Sequence, residues 1–283
     1  MNAKKTVTII FGAGATGESL LPQYEDDHNV VAFLDNDEKK WGKKIEGIEI
    51  LSPKEISRLE YDIIVIGTYL GGEIVIKQLV DMGVPRGKIQ IPDYLIVYDK
   101  GRLAYLEGLG KLFGDMGIKG AIAEGGVFQG DFAREINRIF STQKLYLFDT
   151  FEGFDARDIS LEKSKGYSTV DAGNLRITSE ELVLSKMIHP EMCIIRKGYF
   201  PDTTEGINDE FCFVNLDFDL YQPMLAGLEY FYPRMVKGGV ILVNDYFLES
   251  YGGVKQALKD FIAKNEGVKM TPIGDGLSVA VCC

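Results

Sequence analysis

The sequence predicts an α/β protein built of two units, each a largely parallel sheet covered by helices. Three stretches carry that expectation. Thr6–Phe11 is an apolar, β-branched run that feeds directly into Gly12-Ala-Gly14-Ala-Thr-Gly17. A second run, Lys119–Ala123, feeds into Glu124-Gly125-Gly126-Val-Phe-Gln-Gly130-Asp131. Residues 211–247 then read strand, helix, strand. Strands that are apolar on both faces suit a buried parallel sheet.

Bulk properties narrow the function. The chain has 283 residues, 46% hydrophobic and 26% charged, which suits a globular protein of one or two domains. A net charge of −11 argues against binding a nucleic-acid backbone. No stretch reaches the length of a transmembrane helix, and the N-terminal apolar run is too short for a secretory leader. Cys193, Cys212, Cys282 and Cys283 show no CxxC spacing, so free thiols in a reducing cytoplasm are expected.

In the first unit, the glycine loop is followed by a helix, Glu18–Tyr24, and by a strand, Val30–Leu34, that ends in Asp35. Gly12, Gly14 and Gly17 fit a dinucleotide fingerprint in its proper context, with Asp35 placed to accept from ribose hydroxyls. One further clear strand, Tyr61–Gly67, a helix, Gly72–Met82, and a short strand, Lys88–Ile91, complete a half-domain. On FGAG, FLDND, WGKKIEGIEILSP and YDIIVIGT, residues 1–98 resemble the small Rossmann-like N-terminal modules of sugar-modifying proteins. That resemblance leaves three readings open. The loop holds a nucleotide or nucleotide-sugar, it serves an NAD-dependent oxidoreductase, or the module only docks.

Residues 99–118 are expected to form a linking helix whose Leu103, Leu106, Leu109, Leu112 and Phe113 pack between the units. Residues 119–283 form the second unit. Its first strand ends in Glu124 and its second, Leu145–Phe148, in Asp149. An acid at the first strand suits an amino-acid ammonium, and one at the second suits a ribose diol. That pair fits S-adenosylmethionine better than NAD, whose pyrophosphate Glu124 would repel. A strand over Met192–Lys197 follows. The strands Phe211–Leu216 and Val240–Val243, joined by a turn at Lys237-Gly238-Gly239, end in Asp217, Asp219, Asn244 and Asp245. Ligands bind outside the carboxyl ends of such strands. Asp217, Asn244 and Asp245 therefore form an oxygen-rich set suited to Mg2+, or else ordinary turn residues. The polar stretch Gly153–Gly173 is a lid candidate. A helix over Val254–Lys264 and two strands around Gly274-Asp-Gly276 close the unit.

On AEGGVFQGDFA, YLFDTFEGF, KGYFPDT, LDFDLYQP, LEYFYPRMVKGGVILVNDY and GDGLSVAV, this unit resembles the macrocin O-methyltransferase (TylF-type) family of S-adenosylmethionine-dependent enzymes. The resemblance implies a seven-stranded class I methyltransferase sheet with a C-terminal antiparallel hairpin. It also implies Mg2+-assisted methylation of a sugar hydroxyl, with a small-molecule sugar or glycan as acceptor. Carried over, Glu124, Gly125, Gly126, Gly130, Asp149 and Thr150 lie in the cofactor site. Asp217, Asn244 and Asp245 lie on the metal positions; the acceptor's proton goes to Asp217 or another carboxylate, or the metal acidifies the hydroxyl enough. Two departures stand out: Asn244 replaces the usual aspartate, and neither His28 nor His189 matches the family's histidine base. A non-catalytic nucleotide-sugar-binding protein is the rival reading, and a homo-oligomer stays open.

Overall fold

The computed structural model describes residues 5–24, 26–68 and 72–283. The extreme N-terminus, Met1–Lys4, where a leader would begin, lies outside them. By internal contacts the chain divides into Met1–Ile96 and Val97–Cys283.

The first unit comprises β1 (Thr6–Phe11), α1 (Ala15–Glu18), α2 (Leu21–Tyr24), β2 (His28–Leu34), β3 (Lys44–Ile45), β4 (Ile48–Leu51), β5 (Ile63–Ile66), α3 (Gly72–Asp81) and β6 (Ile89–Gln90). Its sheet runs in the order β3-β4-β2-β1-β5-β6. Alternation along β1 and β5 feeds two cores, with Ile9, Phe11, Ile64 and Ile66 on one face and Ile10 and Val65 on the other. Two expectations are corrected here. The helix over Glu18–Tyr24 is two single turns, because Pro22 lacks an N–H and its ring opposes the carbonyl four residues back. The hairpin of β3 and β4 was not anticipated. It turns at Glu46 and Gly47, both with positive φ (47° and 84°), which is the backbone of a tight two-residue hairpin.

In the second unit are α4 (Asp93–Met116), β7 (Ala121–Gly125), α5 (Asp131–Ile139), β8 (Leu145–Asp149), α6 (Ala156–Lys165), α7 (Glu180–Lys186), β9 (Cys193–Lys197), β10 (Phe211–Leu216), α8 (Tyr221–Phe231), β11 (Met235–Val243), α9 (Gly252–Lys264), β12 (Lys269–Pro272) and β13 (Val279–Cys282). Seven strands lie in the order β12-β13-β11-β10-β7-β8-β9. All pairs from β11 to β9 are parallel, and β13 is antiparallel to both its neighbours. This is the class I methyltransferase arrangement. On one face Ala123, Phe148, Val214 and Leu216 meet α8 and α9 through Leu228, Phe231, Leu258 and Phe261. On the other, Ile122, Leu147 and Phe213 meet Leu106, Leu109, Phe113, Ala133 and Ile136.

Helix α4 therefore forms a wall of the second sheet. The apolar stripe expected to pack between units supplies Leu106, Leu109 and Phe113 to this core, while Leu112 is 49% exposed. Lys237-Gly238-Gly239, expected as a turn, lies inside β11, where the pairing with β10 slips register. Gly238 takes φ +82° there, a conformation that suits a glycine bulge.

The lid candidate is ordered as α6. Asp155 accepts from the Arg157 N–H at its start, and Gly166 (φ +66°) ends it. Its buried Glu162 does work for another helix. One oxygen accepts from the Tyr221 N–H at 2.8 Å and the other from the Ser168 hydroxyl at 2.9 Å. Leu220, the N-cap of α8, has no side chain able to do this. Glu162→Ala is expected to destabilise the protein by about 1–3 kcal/mol, the cost of leaving buried donors unpaired. Urea unfolding followed by circular dichroism checks it, and an unchanged midpoint would show the helix start solvated by water.

Candidate functional site

The carboxyl ends of β7, β8, β10 and β11 lie side by side, and they present Glu124, Asp149, Asp217 and the pair Asn244–Asp245 at one edge. The chain leaves β7 towards β8 on one side and finds β10 on the other. That reversal opens a crevice where ligands bind in such sheets.

Asp149 holds the glycine loop. One oxygen accepts from the Val127 and Phe128 N–H groups, each at 2.9 Å, and the other from the Phe151 N–H at 2.7 Å. Burial raises its carboxyl above the usual range, and these amides oppose the rise. Gly125 and Gly126 are required by close approach. A Cβ on Gly125 would lie 2.2 Å from the Phe218 ring, and one on Gly126 2.0 Å from the Asp217 carbonyl oxygen. Gly130, with φ +80°, starts α5. Thr150 donates to the Gly153 carbonyl at 2.7 Å.

Glu124 is buried opposite Asn215, its register partner on β10. Its Oε1 accepts from the Asn215 amide at 2.9 Å, while its Oε2 has no partner. Burial pushes the carboxyl up to about 8, against the pull of the Arg102 guanidinium.

On the other side of the crevice, Asp217, Asp219 and Asp245 bring carboxylate oxygens within 4.8 Å of one another. Burial and mutual repulsion raise Asp219 well above its ordinary value and push Asp245 up to about 6. Asp219 and Asp245 reach each other through left-handed backbone, φ 61° and 57°. Phe128 and Phe151, in the loops after β7 and β8, are also left-handed, at 48° and 55°. Strained non-glycine backbone thus gathers at this edge.

Asn244 sits differently from the sequence expectation. Its amide donates to Asp217 Oδ1 at 2.6 Å, and its carbonyl oxygen accepts from the Ser278 hydroxyl at 2.8 Å. As oriented, it supports the acids and offers no free oxygen, whereas Asp219 joins them. Arg102 was not singled out in the sequence. It is buried on α4 and donates to Asp217 Oδ2 at 3.0 Å. Its signal was a lone arginine among the leucines of a helix otherwise legible only as an apolar stripe.

The first glycine loop stands apart. A Cβ on Gly12 would meet the Gly67 carbonyl oxygen at 2.5 Å, and one on Gly17 the Gly12 carbonyl oxygen at 1.8 Å, while one on Gly14 meets nothing within 4 Å. Asp35 accepts from the Ala13 N–H, the Asp37 N–H and Lys40 Nζ, each at 2.8 Å.

Residues 96–275 match the macrocin-O-methyltransferase (TylF) family, and residues 4–90 match the C2185-like N-terminal family. A curated relative from Streptomyces olivaceus is 8-demethyl-8-(2,3-dimethoxy-alpha-L-rhamnosyl)-tetracenomycin-C 4'-O-methyltransferase. It is 26% identical over 149 residues, which are 47% of this chain and 56% of that enzyme. The chain thus spans little more than half the length of the curated relative it matches. Among solved structures, the O-methyltransferase NovP superposes with a TM-score of 0.52 at 21% identity, covering 64% of this chain and 79% of NovP. The calicheamicin methyltransferase CalS11 superposes with a TM-score of 0.52 at 16% identity, covering 75% of this chain and 93% of CalS11. At these identities the two superpositions speak for the fold.

Glu124 gives a pH signature. Its folded pKa of about 8 lies above the ordinary 4.5, so between those values the folded chain holds a proton that the unfolded chain releases. Stability should therefore fall as pH rises from about 5 to about 8. Glu124→Gln removes that slope, and its melting temperature should gain on the parent across the same range. Parallel melting curves for the two proteins would show Glu124 ionised in the folded state throughout.

Proposed function

The chain belongs to the macrocin-O-methyltransferase (TylF) family, and from that premise we propose that it transfers a methyl group from S-adenosylmethionine to a hydroxyl of a sugar, free, nucleotide-linked or part of a natural product. The observation that carries the reading is the pairing, across one crevice, of an unsatisfied buried carboxylate with a three-acid cluster. The sugar acceptor is supported by the rhamnosyl compound in the name of the curated relative.

S-adenosylmethionine, when bound, supplies a methyl group on a sulfonium that needs no activation. The Glu124 Oε2 is the acceptor its ammonium would complete, and Asp149 lies where its ribose would fall. Asp149 also tethers the loop backbone, so its loss should weaken binding in two ways. The donor set of Asp217, Asp219 and Asp245 fits a hard divalent cation such as Mg2+, which would orient and acidify vicinal hydroxyls. Asn244 then acts as a brace for Asp217.

Deprotonation of the acceptor falls to the same cluster. Both oxygens of Asp217, the proton acceptor expected from sequence, already receive a hydrogen bond. Asp219 supports the role better, its carboxyl held well above the usual carboxylate range by burial and its acidic neighbours.

For the N-terminal unit we propose a nucleotide or nucleotide-sugar on the first glycine loop. Gly14 supports it, being a loop glycine that packing does not require. Asp35, like Asp149, takes three hydrogen bonds from its own chain and keeps capacity to accept from a ribose hydroxyl.

Calorimetry should show S-adenosylmethionine binding, weakened by about 1.5–3 kcal/mol in Asp149→Ala, the scale of hydrogen bonds to a charged group. Incubated with labelled cofactor and a panel of nucleotide-sugars and glycosides, the protein should methylate one class. Chelator, Asp219→Asn and Asp245→Asn should each abolish turnover while leaving cofactor binding. Absence of both cofactor binding and methyl transfer would sink the proposal. Undiminished turnover in chelator would remove the cation from it.

A further inference from the structure

We propose that Arg102 is a positioning residue that sets the charge of the acidic cluster. It is a built-in cation that fixes Asp217 and determines how tightly, and with what preference for ion charge, Asp217, Asp219 and Asp245 take a metal ion. The inference rests on the cation reading given above.

Arg102 lies one helical turn after Tyr98 on α4 and is only 6% exposed. One terminal nitrogen donates to the Tyr98 hydroxyl at 2.5 Å. The other donates to Asn215 Oδ1 at 3.2 Å and to Asp217 Oδ2 at 3.0 Å. The guanidinium lies 3.6 Å from the centroid of the Phe132 ring. A buried cation with that many fixed contacts has one position, and of the three clustered acids it bonds Asp217 alone. Asp217 Oδ1 is held from the opposite side by Asn244, whose carbonyl oxygen accepts from Ser278. The carboxylate is thus clamped between a helix and two strand ends, which fixes its orientation before any ion arrives.

Charge gives the clamp its second effect. Three carboxylates and one guanidinium leave two negative charges, the complement of a divalent ion. A cation a few ångströms from the site must oppose every ion in proportion to that ion's charge.

The test is ion binding by the full chain at fixed pH and ionic strength. Mn2+ is followed by the resonance of the free ion and Tb3+ by its luminescence. Neutral Arg102→Met should bind Mn2+ on the order of ten-fold tighter than the parent. Tb3+ should bind on the order of thirty-fold tighter, the three-halves power that a purely Coulombic effect requires. Arg102→Lys, which keeps the charge and loses the fork, should stay within roughly three-fold for both ions. Should Arg102→Met fail to fold, Arg102→Gln, whose amide still donates to Asp217, reports the same quantity. Neutral variants that bind neither ion more tightly, or gain equally for both, would overturn the inference while leaving the cation reading in place. If neither parent nor variants bind an ion, both fall. If only the neutral variants bind, Arg102 stands in place of the ion, and both the inference and the cation reading fall.

Discussion

Repulsion among carboxylates in a half-dry crevice is the constraint around which the second unit is arranged. Oxygens of Asp217, Asp219 and Asp245 lie within 4.8 Å of one another. At that distance two charges repel by about 3 kcal/mol at an effective dielectric constant of about 20. Asp149 adds to the same field, raising both Glu124 and Asp219. No fold gathers so much like charge for stability alone, because burying unpaired charge is costly. The edge is held together by donors from elsewhere: Arg102 from α4, the Asn244 and Asn215 amides, and the loop N–H groups on Asp149.

The two glycine loops share a device. In each unit, the acid that ends the second strand turns back to accept from the backbone of the loop after the first: Asp35 from Ala13, and Asp149 from Val127 and Phe128. The acid is thereby a structural part of the loop before it is a ligand contact. The units differ at the end of their first strand, where β7 delivers a buried carboxylate and β1 runs into Gly12.

Much of this was legible in the sequence, and the remainder was not for definite reasons. Strands such as Thr6–Phe11 and Phe211–Leu216 announce themselves as continuous apolar runs, and their carboxyl ends locate the edge where the acids sit. Which acids meet is a matter of register. Leu216 pairs with Val243, so the residues just beyond both strands face each other, and left-handed backbone at Asp219 and Asp245 brings those two together. A linear pattern holds neither fact. Arg102 escaped because a helical stripe is read for its leucines, and one more charge on a helix that also carries Asp99, Lys100, Glu107, Lys111 and Asp115 looks like surface. The hairpin at Lys44–Leu51 escaped because two-residue strands fall below the length at which alternation can be counted. Within Met235–Val243, Gly238-Gly239 looks like a turn, and only the strand pairing shows a bulge.

The hold of α6 on α8 bears on how the site can be remodelled. The stretch between β8 and β9 is where a methyltransferase of this plan would be lengthened or exchanged to suit a new acceptor, being polar and rich in glycine. Here that stretch carries Glu162, which closes the open start of a core helix four elements later in the chain. A graft that replaced it wholesale would import a new acceptor surface and at the same time unpick a joint of the scaffold. The exchangeable part is therefore narrower than the loop. It reduces to the segment between α6 and α7, with α6 and its glutamate, and α7 with its core residue Val183, kept as part of the frame.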